Sequence, residues 1–216
     1  NEQYNEAISL YYEYKKLDCN DEQIAYTFES IMLRILYENR IYNRFKKNVQ
    51  LLSENPYIHQ IDGYYASLIY YKWAIINVYT NDKEGLPNTL HEFKKIHLNS
   101  HTEYKDKCEI LYEVINILAK HYLATTKQEK LSALKEYKNF IETYTYDPVI
   151  YETIEAQLLI IRALVQNQEY EYAINRLNDL LASHCNYKLR LRLYQLLSQC
   201  YRETKDPRYY ETLEAI

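Results

Sequence analysis

Tyr194-Gln195-Leu196-Leu197-Ser198-Gln199-Cys200-Tyr201 places a Tyr, a small residue and a second Tyr at helical spacing, and Lys205-Asp206 closes the stretch. Pieces of the same phrase recur upstream. Leu118-Ala119 precedes Tyr122, and Gln168-Glu169-Tyr170 leads into Ala173 and Leu177. Together they describe one unit. A first helix carries the aromatic–small–Tyr pattern, and a second helix is marked by an Ala. Gln157 and Tyr194 hold the same slot, 37 residues apart. Such a unit buries its apolar faces by stacking on its neighbours.

The composition agrees with helices throughout. The chain has 216 residues but only two glycines, Gly63 and Gly85, and four prolines. An all-β fold needs turn glycines, and an α/β nucleotide fold needs a glycine-rich phosphate loop. The expected class is therefore all-α. With 47% hydrophobic and 26% charged residues the chain is ordinary globular material. A net charge of -4 argues against a broad nucleic-acid surface, so no nucleic-acid contact is expected from this segment. The 27 tyrosines are read mainly as core residues.

Cys19, Cys108, Cys185 and Cys200 are too scattered for a paired motif and read as reduced, mostly buried residues. The apolar run Leu158 to Ile161 stops at Arg162, and no apolar run approaches the about 18 residues a membrane span needs. No cationic stretch leads into an apolar run at the N-terminus. The expectation is a cytoplasmic protein without membrane contact.

Apolar spacing predicts helices at about 3–17, 21–38, 41–54, 57–80, 86–97, 102–124, 127–145, 148–166, 169–184, 187–204 and 207–216. Asp18 to Asp21, Asn55-Pro56, Asp147-Pro148 and Asp206-Pro207 supply the breaks. Residues 81–87 form the longest loop signal. Tyr4-Asn5-Glu6-Ala7-Ile8 matches Tyr170-Glu171-Tyr172-Ala173-Ile174, the start of a second helix. Residues 1–216 are thus expected to form a single helical-repeat domain that begins midway through a unit and lacks an N-terminal segment. The alternative is that the first helix caps the stack.

Motifs for catalysis are missing. No phosphate-binding glycine loop, nucleophile elbow or HExxH occurs. His97 and His101 are four apart, but a helix break is expected between them, so no metal site follows. The expectation is a non-enzyme without cofactor or metal. In arrays of helical hairpins the first helix of each pair lines the concave groove. Alignment on the repeated phrases places Asn116, Lys120, Arg162, Gln195, Gln199 and Arg202 there, with Arg34 and Asn77 from earlier helices. Carboxamides match a peptide main chain and guanidinium groups match carboxylates. Tyr70, Tyr71, Trp73, Tyr79 and Tyr112 either line this groove or pack helix on helix. The basic run Asn43 to Asn48 reads as a solvated helix face.

Leu118-Ala119-x-x-Tyr122, Tyr170-x-x-Ala173 and Tyr194-x-x-Leu197-Ser198-x-x-Tyr201 resemble the tetratricopeptide repeat, whose usual period is about 34 residues. The whole segment resembles the regulatory domain of the peptide-sensing bacterial transcription regulators grouped as RRNPP, including Rgg- and PlcR-type proteins. The resemblance implies a right-handed superhelix that binds a short signalling peptide in its concave groove. It also implies a homodimer formed through C-terminal helices, so that helix 207–216 is either a dimer element or a cap on the last repeat, and an N-terminal helix-turn-helix domain that contacts DNA. Asn77 and Asn116 fall where groove asparagines of that family lie. The alternative function is a tetratricopeptide-like scaffold for a protein partner, without a small ligand.

Overall fold

The computed structural model describes residues 2–17, 22–53, 63–99, 104–183 and 186–216, and no strand occurs among them. The chain is all-α. In order the helices are α1 (Glu2–Tyr14), α2 (Glu22–Glu38), α3 (Tyr42–Ser53), α4 (Gly63–Tyr79), α5 (Gly85–Asn99), α6 (Lys105–Leu123), α7 (Lys127–Tyr144), α8 (Ile154–Gln166), α9 (Tyr170–Ala182), α10 (Tyr187–Thr204) and α11 (Arg208–Glu214). The breaks expected at 18–21 and 55–56, the helix start expected at 57, and Cys19, Cys185, His59 and His101 lie outside the described residues.

The chain divides into two compact units, 1–112 and 113–216. In the first, α1 packs on α2, α2 on α3, α3 on α4 and α4 on α5, while α2 also touches α4. In the second, α7 packs on α8, α8 on α9, α9 on α10 and α10 on α11, while α8 also touches α10. Contact with both the next helix and the next but one is what stacked hairpins produce.

One turn closes four of the hairpins. After α2, α4, α8 and α10 a single residue swings into the left-handed region: Arg40, Asn81, Gln168 and Lys205. In each case the next residue's N–H reaches back to a carbonyl five residues earlier: Ile41 to Leu36, Asp82 to Asn77, Glu169 to Leu164 and Asp206 to Tyr201. This is the Schellman closure, which satisfies carbonyls left over at a helix end. Glycine usually takes that position, and none of the four is glycine. The chain's few glycines therefore do not limit its turns. Gly85 serves elsewhere. Its N–H donates to Asp82 Oδ1 at 2.8 Å, and a Cβ there would stand 2.6 Å from that carboxylate.

The turn between α6 and α7 is built differently. Thr126 accepts from the Glu129 N–H, and Glu129 accepts from the Thr126 N–H, which makes a capping box.

The helix expected at 148–166 is split. Pro148–Thr153 forms a 3₁₀ segment and α8 begins at Ile154. The cause is local. Both Thr153 Oγ1 and Gln157 Nε2 donate to the Ile150 carbonyl, at 2.7 and 2.8 Å. A continuous α-helix would use that carbonyl for its own ladder. The β-branched Val149, Ile150, Thr153 and Ile154 also favour a helix less.

The core of the first unit gathers Leu33, Leu36, Phe45, Val49, Ala74, Ile75 and Phe93. That of the second gathers Leu134, Tyr137, Ile160, Leu164, Ala173, Leu177, Leu193 and Cys200. Cys108 and Cys200 are both buried.

Candidate functional site

α8 is buried on nearly every side. Ile154, Ala156, Leu158, Ile160, Ile161, Ala163, Leu164 and Val165 face the core. One narrow stripe remains, with Glu155, Leu159, Arg162 and Gln166 at helical spacing. On α10 the buried residues are Leu193, Leu196, Leu197, Cys200 and Tyr201, and Gln195, Gln199 and Arg202 lie exposed on the other side.

Glu155 and Arg192 join the two stripes. The Arg192 guanidinium donates to Glu155 Oε1 at 3.1 Å, across 37 residues of sequence. That separation equals the repeat read from Gln157 and Tyr194. The bridge joins α8 to α10, and the exposed residues are Arg162 on one helix and Gln195, Gln199 and Arg202 on the other. Arg202 pairs with its neighbour Glu203 at 3.0 Å. Arg162 has no ion-pair partner among the described residues. These side chains offer planar guanidinium forks for carboxylates and carboxamides for a main chain. Lys188, Arg192 and Glu155 stand on the same two helices. Sequence reasoning passed over them, although Lys188, Arg192, Gln195, Gln199 and Arg202 follow the 4-3-4-3 spacing of one helix face.

The other expected groove residues do not gather there. Arg34, in the first unit, is exposed and donates to Glu38 at 2.9 Å along its own helix. Asn77 is fully buried, which corrects its placement in an open groove. Its Nδ2 donates to Thr89 Oγ1 at 2.8 Å and ties α4 to α5, while its Oδ1 has no partner among the described residues. The physical reason is that α4 is apolar all round and buries Ala66, Ile69, Tyr70, Tyr71, Ala74, Ile75 and Ile76. Lys120 pairs with Glu136 of α7 at 2.7 Å. It lines an open recess of about 440 Å³ with Leu123, Glu129 and Ser132. Asn116 is half-buried, one turn earlier on α6. Nearby, burial and then the charge of Lys130 hold the His121 imidazole below its ordinary pKa.

The aromatic cluster packs helix on helix. Tyr70 and Tyr71 are buried. The Tyr70 ring lies 5.8 Å from Trp73 and 6.2 Å from Phe93, and Phe93 meets Tyr112 edge-on at 5.5 Å. Burial pushes the Tyr70 phenol up to about 12. In the basic run, Phe45 is core and Lys46 donates to Thr80 and Asp82 at 2.8 and 2.7 Å.

The other side of α8 holds a buried polar cluster. Gln157 Oε1 accepts from the Tyr137 hydroxyl at 3.0 Å and from Arg176 Nε at 2.9 Å. Gln157 Nε2 donates to the Ile150 carbonyl and to Thr153 Oγ1, each at 2.8 Å. One carboxamide therefore joins α7, the 3₁₀ segment, α8 and α9. Arg176 is only 3% exposed, its nearest carboxylate is Asp179 at 3.7 Å, and its Nη2 has no partner among the described residues. Burial raises the Tyr137 phenol and the Arg176 charge partly opposes the shift. Sequence reading missed this cluster. Its signal was Arg176 beside Ala173, Leu177 and Leu180 on the apolar stripe of α9.

Among the described residues, no three His, Cys, Asp or Glu side chains gather as a metal site. No helix among them is long and apolar enough to cross a membrane. No family model, curated protein or solved structure matches the chain.

Proposed function

We propose that this chain is a cytosolic, non-enzymatic regulatory domain that binds a short peptide on the paired α8 and α10 face and thereby controls a transcription regulator. The Glu155–Arg192 bridge supports this reading, because it joins the two helices that carry these exposed polar side chains. Arg162, Gln195, Gln199 and Arg202 then contribute guanidinium and carboxamide groups from two adjacent helices. In this reading the hairpins stack as turns of a right-handed superhelix, with this face on its inner side. A bound peptide acts by favouring one arrangement of the hairpins over another.

The same reading gives α11 the role of a homodimer contact. Tyr210, Leu213 and Ile216 are exposed there at 72, 44 and 42%, spaced along one side of the C-terminal stretch. Removal of residues 207–216 should halve the mass in solution, and an unchanged mass removes α11 from the dimer.

The peptide role is tested by panning a phage-displayed library of random short peptides. The chain should enrich binders that the Arg162→Ala, Gln199→Ala, Arg202→Ala triple variant does not retain. The single Arg162→Ala variant should weaken binding with stability changed by less than about 0.5 kcal/mol, as for an exposed side chain. Enrichment that survives the triple variant moves the site off this face. Absence of any enrichment favours the scaffold reading, in which the partner is a folded protein.

A further inference from the structure

The exposed side of α10 is basic in a chain that is acidic overall. The chain carries a formal net charge of -4. Within α10, Lys188, Arg190, Arg192 and Arg202 stand against Glu203 alone. At 3.6 residues per turn, Lys188, Arg192, Gln195, Gln199 and Arg202 fall within an arc of about 80°. Arg162 stands on α8, which the Glu155–Arg192 bridge joins to α10. No carboxylate lies inside the arc. Glu155 is occupied by Arg192. Glu203 sits at the margin and meets Arg202 in an exposed pair of the kind that contributes little. Arg162 and Lys188 have no ion-pair partner among the described residues.

This separation of charge has a direction. A surface that only needed to be solvated would mix both signs, as the faces of α7 do with Lys127, Glu129, Lys130, Lys135 and Glu136. A one-signed stripe attracts ligands of opposite sign and repels its own. The carboxamides of Gln195 and Gln199 lie between the cations, where they can meet amide groups of a main chain. The arc carries no aromatic ring on which a nucleobase could stack. From Lys188 to Arg202 the stripe runs about 21 Å, the span of about six extended residues.

We infer that this face takes an acidic peptide segment, with Asp or Glu carboxylates on Arg162, Lys188 and Arg202 and the main chain against Gln195 and Gln199. The inference rests on the peptide-binding reading above and adds the charge of the ligand.

The test uses fluorescence anisotropy on the full chain with four labelled probes. Three are hexapeptide pools with acidic, basic or Ser/Asn residues at alternate positions. The fourth is a hexathymidylate. The acidic pool should bind tightest, and its affinity should fall with added salt. Arg162→Ser with Lys188→Ser should weaken it by about tenfold. Arg162→Glu with Lys188→Glu, checked for helix content by circular dichroism, should turn the preference toward the basic pool.

Equal or tighter binding of the Ser/Asn or basic pool, lost on Gln195→Ala with Gln199→Ala, overturns the acidic preference and leaves the peptide face standing. Tighter binding of the hexathymidylate, lost on charge reversal, overturns it in favour of phosphate. Absence of binding by every probe overturns both this inference and the peptide reading.

Discussion

The α4–α5 and α8–α9 hairpins turn on the same Schellman closure, at Asn81 and Gln168, yet their interiors differ. The first is a largely apolar interface crossed by a buried hydrogen bond from Asn77 to Thr89. The second is organised around Gln157, which receives Tyr137 and Arg176 and holds Ile150 and Thr153. The backbone turn therefore does not dictate what fills a hairpin. An apolar interior depends on shape and tolerates exchange. A polar one depends on every partner being present.

Gln157→Leu should show this difference most strongly. It leaves the buried Arg176 cation and the Tyr137 hydroxyl without their acceptor, at a cost of about 3–5 kcal/mol in urea unfolding. A loss below about 1 kcal/mol would mean that solvent reaches the cluster. Arg176→Met should cost less, under about 1.5 kcal/mol, because Gln157 keeps Tyr137 and the exposed Asp179 returns to water. A larger loss for Arg176→Met than for Gln157→Leu would reverse the hierarchy.

The matched change in the apolar hairpin is Asn77→Leu. Thr89 still donates to the Gly85 carbonyl at 3.0 Å, and the unpartnered Oδ1 disappears. The change should cost about 1 kcal/mol or less.

Acid should separate the hairpins too. The Lys46 hydrogen bond, aided by the Gly85 N–H, lowers the Asp82 pKa from its ordinary 3.8. A depressed carboxylate contributes stability above the unfolded pKa, and loses it as pH falls through the folded one. Asp82→Asn should therefore flatten the stability curve below about pH 4. A curve parallel to that of the unaltered chain would show that Asp82 is uncoupled from unfolding. The smallest effect belongs to the turns. Lys205→Gly relieves a left-handed conformation and should stabilise by about 0.5 kcal/mol after the entropy lost to glycine. A destabilised variant would mean that the Lys205 side chain makes a contact of its own.

Much of the fold was legible because helix periodicity is a local property. The helix ends at Asp147-Pro148 and Asp206-Pro207 follow directly from proline chemistry. The 3₁₀ segment was not legible, because it depends on Gln157 reaching back to Ile150. Nor were the left-handed turns. Of Arg40, Asn81, Gln168 and Lys205, only Asn81 is a residue with a known taste for that region. For the candidate site, the 37-residue spacing read from the sequence is the separation at which Glu155 and Arg192 meet. Sequence reading failed for Asn77, since a helix buried all round has no polar side for a carboxamide to mark. It also failed for Arg176, because an arginine three residues before an aspartate resembles an ordinary surface pair.

The single tryptophan, Trp73, sits in the first unit within 5.8 Å of Tyr70, while 27 tyrosines are spread over the whole chain. Emission excited at the red edge of indole absorption therefore reports residues 1–112 alone, and far-ultraviolet dichroism reports both units. A thermal scan that follows the two signals together becomes a test of cooperativity without any label. Coincident midpoints mean that the chain melts as one body, and separate midpoints show which half yields first.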